Sequence, residues 1–192
     1  MRRVLVASGI GVGVVAFAAL TLVVAALAFS VTVSGTSMEP TLRDGDRMLL
    51  EFWTRDEIER FDVVEADAPS SVAGDGAQIL KRVIGMPGDR VSVTRDAQVL
   101  VEPAGEDRIY VVDNPAWSAE AAAVEQEWLT VPEDAYWLLG DNWGASTDSR
   151  SFGFIDAAAV HGRVVFRMLP FGRNGTVARD VRLALVEPDS PR

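Results

Sequence analysis

The chain contains no cysteine. That excludes disulfides, a thiol nucleophile and every cysteine-ligated zinc or iron–sulfur site, and it leaves the compartment open. Histidine occurs once, at His161, so a two-histidine metal site is impossible. A Ser-His-Asp arrangement would have to use His161, which sits in the strand-like run AVHGRVVF and reads there as an incidental polar residue. Basic charge is short: 18 Lys plus Arg against 28 Asp plus Glu give a formal net charge of −10. A nucleic-acid partner usually needs a basic stripe, so none is expected. Scarcest of all is lysine. Of the 18 basic residues 17 are arginine, and the single lysine is Lys81, in the apolar stretch QILKRVIGMPGDRV.

Arginine makes ion pairs at least as well as lysine does. The difference is the proton: guanidinium keeps it, whereas an ammonium can lose it when burial lowers its pKa from about 10.4 towards neutrality. A lone lysine among apolar residues is therefore a candidate general base. Composition by itself favours a plain surface lysine, so the reading needs a partner group.

Residues 4–33 form a run of 30 residues without a charge. A membrane-spanning helix needs about 20 apolar residues. Residues 4–28 as a helix would extend roughly 37 Å, enough to cross with some tilt. Arg2 and Arg3 precede the run, which places the N-terminus in the cytoplasm and the rest of the chain outside the cytoplasmic membrane, in a single pass. Ala26-Leu27-Ala28 resembles a small-x-small cleavage site, but the run exceeds the roughly 7–15 apolar residues of a cleaved signal. An uncleaved anchor in the lipid bilayer is expected.

Beyond it the sequence reads as short alternating runs broken by Gly, Pro, Asp and Asn: RMLLEFW, FDVVEA, DRVSVT, QVLVEP, RIYVV, YWLLGDN and GRVVFRML. TRDAQ reads as a hairpin turn, and EADAPSSVAGDGAQ as a mobile surface loop. NPAWSAEAAAVEQEW suits one helical turn or a long loop. Only TRDEIER and DAAAV look helical. The expected fold is a mostly β, antiparallel ectodomain on one N-terminal transmembrane helix. Its parts are a cytoplasmic start at residues 1–3, an anchor at 4–28, a β-rich domain at 29–175 with a short inserted β region near 92–132, and a tail at 176–192.

Ser37 lies just after the anchor in SGTSMEPTL, a turn able to expose a side-chain oxygen and unpaired backbone N–H groups. It is not the G-x-S-x-G elbow, because Glu39 takes the second glycine's place. A third stretch is GDNWGASTDSRSFG, residues 140–153. Its Asp and Asn suit turns, and Trp143 and Ala145 spoil a calcium loop. Asp141, Asp148 and Arg150 suit a buried ion-pair cluster that pins two loops.

In order along one anchored chain, SGTSMEPTL, LKRVIGMPGD and GDNWGASTDSRSFG resemble the signature boxes of the bacterial type I signal peptidases, membrane-anchored serine proteases with a Ser/Lys dyad. FDVVEA and VHGRVVFRMLP resemble that family's flanking strands, so the likeness covers residues 31–170. It implies Ser37 as nucleophile, Lys81 as general base and Ser146 as the hydroxyl that orients the amine. It implies Met38, Leu42, Ile79 and Leu80 as lining for small substrate side chains, and Arg82, Asp141, Asp148 and Arg150 as bracing. It implies cleavage of signal peptides from exported precursors after small-x-small sites, through an acyl-enzyme, by a monomer with no cofactor and no metal. The chain departs from the pattern in the shortness of the β region between its Lys81 and Asp141 boxes and in three further places. Gly35 stands where some members carry a second oxyanion donor, Trp143-Gly144-Ala145 replaces a polar run, and Phe61 replaces the glycine of R-G-D-V. A specialised or inactive anchored β module of the same descent is the alternative. A self-cleaving, DNA-binding repressor is a second one, disfavoured by the acidic charge.

Overall fold

The computed structural model describes residues 2–52, 57–72, 74, 76–117, 125–177 and 179–186, with side chains from residue 12 onward. Helix α1 spans Arg2–Ala28. Its described side chains cover residues 12–28, and among the described residues no helix is long and apolar enough to cross a membrane. The C-terminal end of α1 is tied to the β region. The Leu27 carbonyl, an orphan acceptor of the last turn, takes hydrogen bonds from the Ser30 hydroxyl at 2.8 Å and from Arg47 Nη2 at 3.3 Å.

The rest is mostly β. Strands β1 (Ser30–Thr32), β2 (Arg47–Glu51), β3 (Val63–Asp67), β4 (Gln78–Gly85), β9 (Ala135–Leu139), β10 (Ile155–Asp156), β11 (Val160–Leu169) and β12 (Gly175–Thr176) form one sheet. Its order is β1-β2-β11-β3-β4-β9-β10, with β12 on β11. Strands β5 (Arg90–Val93), β6 (Val99–Glu102), β7 (Tyr110–Asp113), β8 (Gln126–Thr130) and β13 (Arg182–Leu185) form a second, in the order β13-β7-β6-β5-β8. Every strand pairing is antiparallel. The TRDAQ turn closes the β5–β6 hairpin, with Thr94 N–H donating to the Gln98 carbonyl at 2.9 Å.

Three differences from the sequence expectation have local causes. The run DAAAV is a single 3₁₀ turn at Ala157–Ala159, because Asp156 caps it and a strand begins at once at Val160. A short helix not foreseen, α2 (Ser149–Phe152), is started by Asp148 as N-cap and ended by Gly153 at φ 82°. Residues 176–192, expected as a tail, contribute β13, whose Leu183 pairs with Val112. The middle of NPAWSAEAAAVEQEW lies outside the described residues, as do residues 54–56 of TRDEIER, whose described part, residues 57–60, forms no α-helix.

Apolar side chains collect in three clusters. Val91, Val93, Val99 and Val101 of the second sheet pack on Trp137 and Leu139. Val64, Ala66, Val83 and Leu138 form another cluster, and Val33, Met38, Leu42, Met48, Leu50, Val63 and Val164 a third. Each fully buried aliphatic side chain contributes about 1.5–3 kcal/mol. The third cluster is the floor on which the Ser37 turn rests.

Candidate active site

Lys81 is in the middle of β4, opposite Val64 on β3. It is 4% exposed, and its Nζ lies 2.8 Å from Ser37 Oγ. The same Nζ reaches the Leu80 carbonyl at 3.1 Å. Burial pushes the Lys81 pKa down from the ordinary lysine value, opposed by the charges of Asp148 and Asp141. The partner that the lone lysine called for is thus in place, with the amine shifted towards its neutral form.

The Ser37 turn is held from both sides. Gly35, at φ 87°, donates its N–H to Asp44 Oδ1 at 2.8 Å, a backbone conformation that favours glycine. On the far side Asn142 N–H donates to the Ser37 carbonyl at 3.0 Å, and Asn142 Nδ2 to the Thr36 carbonyl at 3.1 Å. Gly140 completes the fit: a Cβ there would collide with the Ser146 side chain and with the Ser37 carbonyl oxygen. The sequence reading passed over Asn142 and Gly140. Both stand in the GDN triplet, but nothing local signals a partner 106 residues away.

The four bracing candidates form two separate pairs. Arg82 and Asp141 make a bidentate ion pair at 2.8 and 2.6 Å, with both side chains buried. Asn114 Nδ2 adds a bond to Asp141 at 3.1 Å, and Arg82 Nη1 donates to the Phe61 carbonyl at 2.8 Å. Asp148 and Arg150 pair at 2.8 Å through both guanidinium arms, and Asp148 Oδ2 accepts the Gly140 N–H at 3.0 Å. Arg150 also lies 4.4 Å over the Trp143 ring, which packs on Trp117. The Trp143-Gly144-Ala145 departure is therefore a 3₁₀ turn braced by aromatic and cation–π contacts. Phe61 has φ 74°, the left-handed conformation that suits the glycine it replaces. For an L-residue this costs about 1–2 kcal/mol, offset by its N–H bond to the Val83 carbonyl at 2.7 Å and by the Arg82 bond.

Two expected placements are corrected. Ser146 makes no hydrogen bond to the amine in this structure: its Oγ is buried with no hydrogen-bond partner, and the second bond of Lys81 goes to the Leu80 carbonyl instead. Leu42 does not line a substrate cleft. It is fully buried, because the turn after Pro40 carries it into the third cluster. Met38, Ile79 and Leu80 do border a cleft of about 280 Å³ that reaches Ser37 and Lys81. Beside it β9 pairs with β4 only from Arg82 onward, so Gln78–Lys81, bonded to β3 on one side, has no strand partner on the other among the described residues. His161 lies 2.7 Å from Asp67. Among the described residues no cluster of ligands could hold a metal ion.

The sequence profile of the signal peptidase family, peptidase S26, matches residues 6–169. A probable signal peptidase I-2 from Synechocystis is 32% identical over 160 residues, covering 81% of this chain and 69% of the relative. Signal peptidase IB of Staphylococcus aureus is 31% identical over 170 residues, covering 82% and 86%. A crystal structure of a signal peptidase I from Enterococcus faecalis aligns with 55% of this chain and 95% of that one, at 28% identity and a TM-score of 0.43.

Proposed function

Since this chain belongs to the signal peptidase family, peptidase S26, we propose that it is a membrane-bound serine endopeptidase that removes signal peptides from exported precursors. The observation that carries the reading is the 2.8 Å contact between Ser37 Oγ and a buried Lys81.

The chemistry follows from the groups present. Neutral Lys81 accepts the Ser37 proton as Oγ attacks the scissile carbonyl, giving a tetrahedral oxyanion and a lysine ammonium. The Ser37 N–H, which has no acceptor among the described residues, stabilises that oxyanion. The ammonium returns its proton to the departing amine and leaves an acyl-Ser37 ester. Lys81 then takes a proton from water as that water attacks the ester, and the ammonium returns the proton to Ser37 Oγ as the acid product leaves. Ser146 is the hydroxyl that orients the amine during the reaction: its partnerless Oγ lies against Gly140 beside the Ser37 turn. The open Gln78–Lys81 edge suits an extended precursor segment, which adds there as a strand. Met38 and Ile79 favour small apolar side chains near the cut.

α1 fits the anchor role. Its exposed side chains include Val12, Val14, Val15, Phe17, Leu20, Leu22, Val23 and Val24, with no acid or base among them. An apolar helix exposed all round calls for lipid rather than water. Arg2 and Arg3 put its start in the cytoplasm and the β region outside the cytoplasmic membrane. Ala26 to Ala28 are the last helical residues of α1, a conformation that a protease cannot accept as an extended substrate.

Detergent-solubilised protein offered a panel of precursor peptides tests the reading. Cleavage after small-x-small sites, with mass-spectrometric labelling of Ser37 by a serine-acylating probe, is expected. Absence of both would overturn it. Recovery of the intact chain in a carbonate-washed membrane fraction is expected as well, and recovery in the soluble fraction would sink the anchor.

A further inference from the structure

One wall of the cleft is unlike the rest. Glu65 on β3 lines it together with Val31, Val33, Ile79 and Leu80, in the same cavity as Ser37 and Lys81. It pairs across the sheet with Leu80, so both side chains stand on the same sheet face. The residue is 5% exposed, yet its carboxyl group receives no hydrogen bond among the described residues. A buried acid without a donor is costly to ionise, and burial indeed pushes the Glu65 pKa up, with Asp67 adding to the rise and His161 opposing it. Other buried acids of this chain are satisfied: Asp141 by Arg82, Asp89 by Arg60, Asp148 by Arg150. Glu65 alone of these four opens into the space where a substrate would lie.

We propose that Glu65 is a specificity-determining residue, which makes the cleft prefer a precursor whose side chain at the Leu80–Glu65 wall carries a hydrogen-bond donor, above all a lysine or arginine. The inference rests on the peptidase reading for what occupies the cleft. A basic side chain crosses the apolar wall with its stem against Val31 and Leu80 and brings its charge to the carboxylate. It supplies the missing donors and relieves the cost of ionising the acid. A substrate acid at the same place would meet a second carboxyl group in a desolvated wall and be rejected.

The test uses peptides varied one residue at a time on the amino-terminal side of the scissile bond, with Val, Gln, Lys or Glu at each place. Hydrolysis is followed with the full chain, and binding by fluorescence anisotropy with Ser37→Ala, each with Glu65 intact, with Glu65→Gln and with Glu65→Val. At one position Lys should exceed Glu by about tenfold or more in kcat/KM and in affinity. Glu65→Gln should cut that ratio to about twofold, and Glu65→Val should reverse the order in favour of Val. Because Gln is close to Glu in shape, it keeps the test alive if Val disturbs the sheet. Identical position profiles in all three forms would overturn the assignment. Lys-selective binding without hydrolysis would support Glu65 and sink the protease reading, and hydrolysis without Glu65-dependent selection would do the reverse.

Discussion

In the first sheet and its loops Lys81, Arg82, Asp141 and Asp148 are at most 4% exposed. In the second sheet the ion pairs Arg90–Glu102 and Arg182–Asp113 stand in solvent, and the interior is Val91, Val93, Val99 and Val101. Both sheets are antiparallel and hold together by the same ladder bonds. Taking each ion out of water costs several kcal/mol, and a core of valines avoids that cost altogether. The strands of the second sheet build their interior without buried charge, although a buried acid beside them, Asp89 just before β5, pairs with Arg60. The charges buried in the first sheet are therefore there for geometry: Arg82–Asp141 and Asp148–Arg150 hold the residue-140 loop against Ser37 and Lys81.

The comparison can be broken most directly at the dyad. Ser37→Ala and Lys81→Arg should each lower peptide cleavage by at least about a thousandfold while leaving the circular dichroism spectrum unchanged. Arginine keeps the charge and loses the removable proton, so a Lys81→Arg protein with a tenth of normal turnover would mean that burial of Lys81 serves no base. Next comes the brace. Asp141→Asn leaves Arg82 charged and buried without its anion, and should cost about 3–5 kcal/mol in a denaturant titration. A cost under 1 kcal/mol would remove the distinction between the sheets.

A third test is pH. With the Lys81 pKa lowered by burial, the reactive neutral amine grows about tenfold per pH unit below that pKa, so kcat/KM should climb with pH and then level off. Asp148 and Asp141 raise the Lys81 pKa, so neutralising either should move the climb to lower pH. A flat profile from about pH 6 to 9 would count against the base assignment. The smallest effect should come from the second sheet: Arg182→Ala removes an exposed pair and should change stability by less than about 1 kcal/mol, read in the same titration.

The strand pattern was legible because alternation reports one buried face, and seven quoted runs fall on β2, β3, β5, β6, β7, β9 and β11. The three boxes were legible because they concentrate residue types whose spacing few other roles require. What lay beyond reach was side-chain direction. Leu42 has the same apolar chemistry whether it meets substrate or core, and only the path of the turn decides that it is core. Ser146 was identified as an orienting hydroxyl, but a sequence does not carry rotamers, and here the Oγ is partnerless. Asn142 and Gly140 act on the Ser37 turn from more than a hundred residues away, so no local window contains the contact. Nothing within FDVVEA marks Glu65, whose place in the cleft wall is set by the pairing of β3 with β4.

The hydrogen bonds that assemble the site join residues 44, 59 and 106 positions apart. Such a site has a birth time. While the chain is being made, Ser37 emerges first as a plain hydroxyl, Lys81 follows into a strand that still lacks β9, and the Asn142 clasp is added only after more than a hundred further residues. On the proposed reading, the Ser37 turn therefore has its full set of braces only once the residue-140 loop has docked.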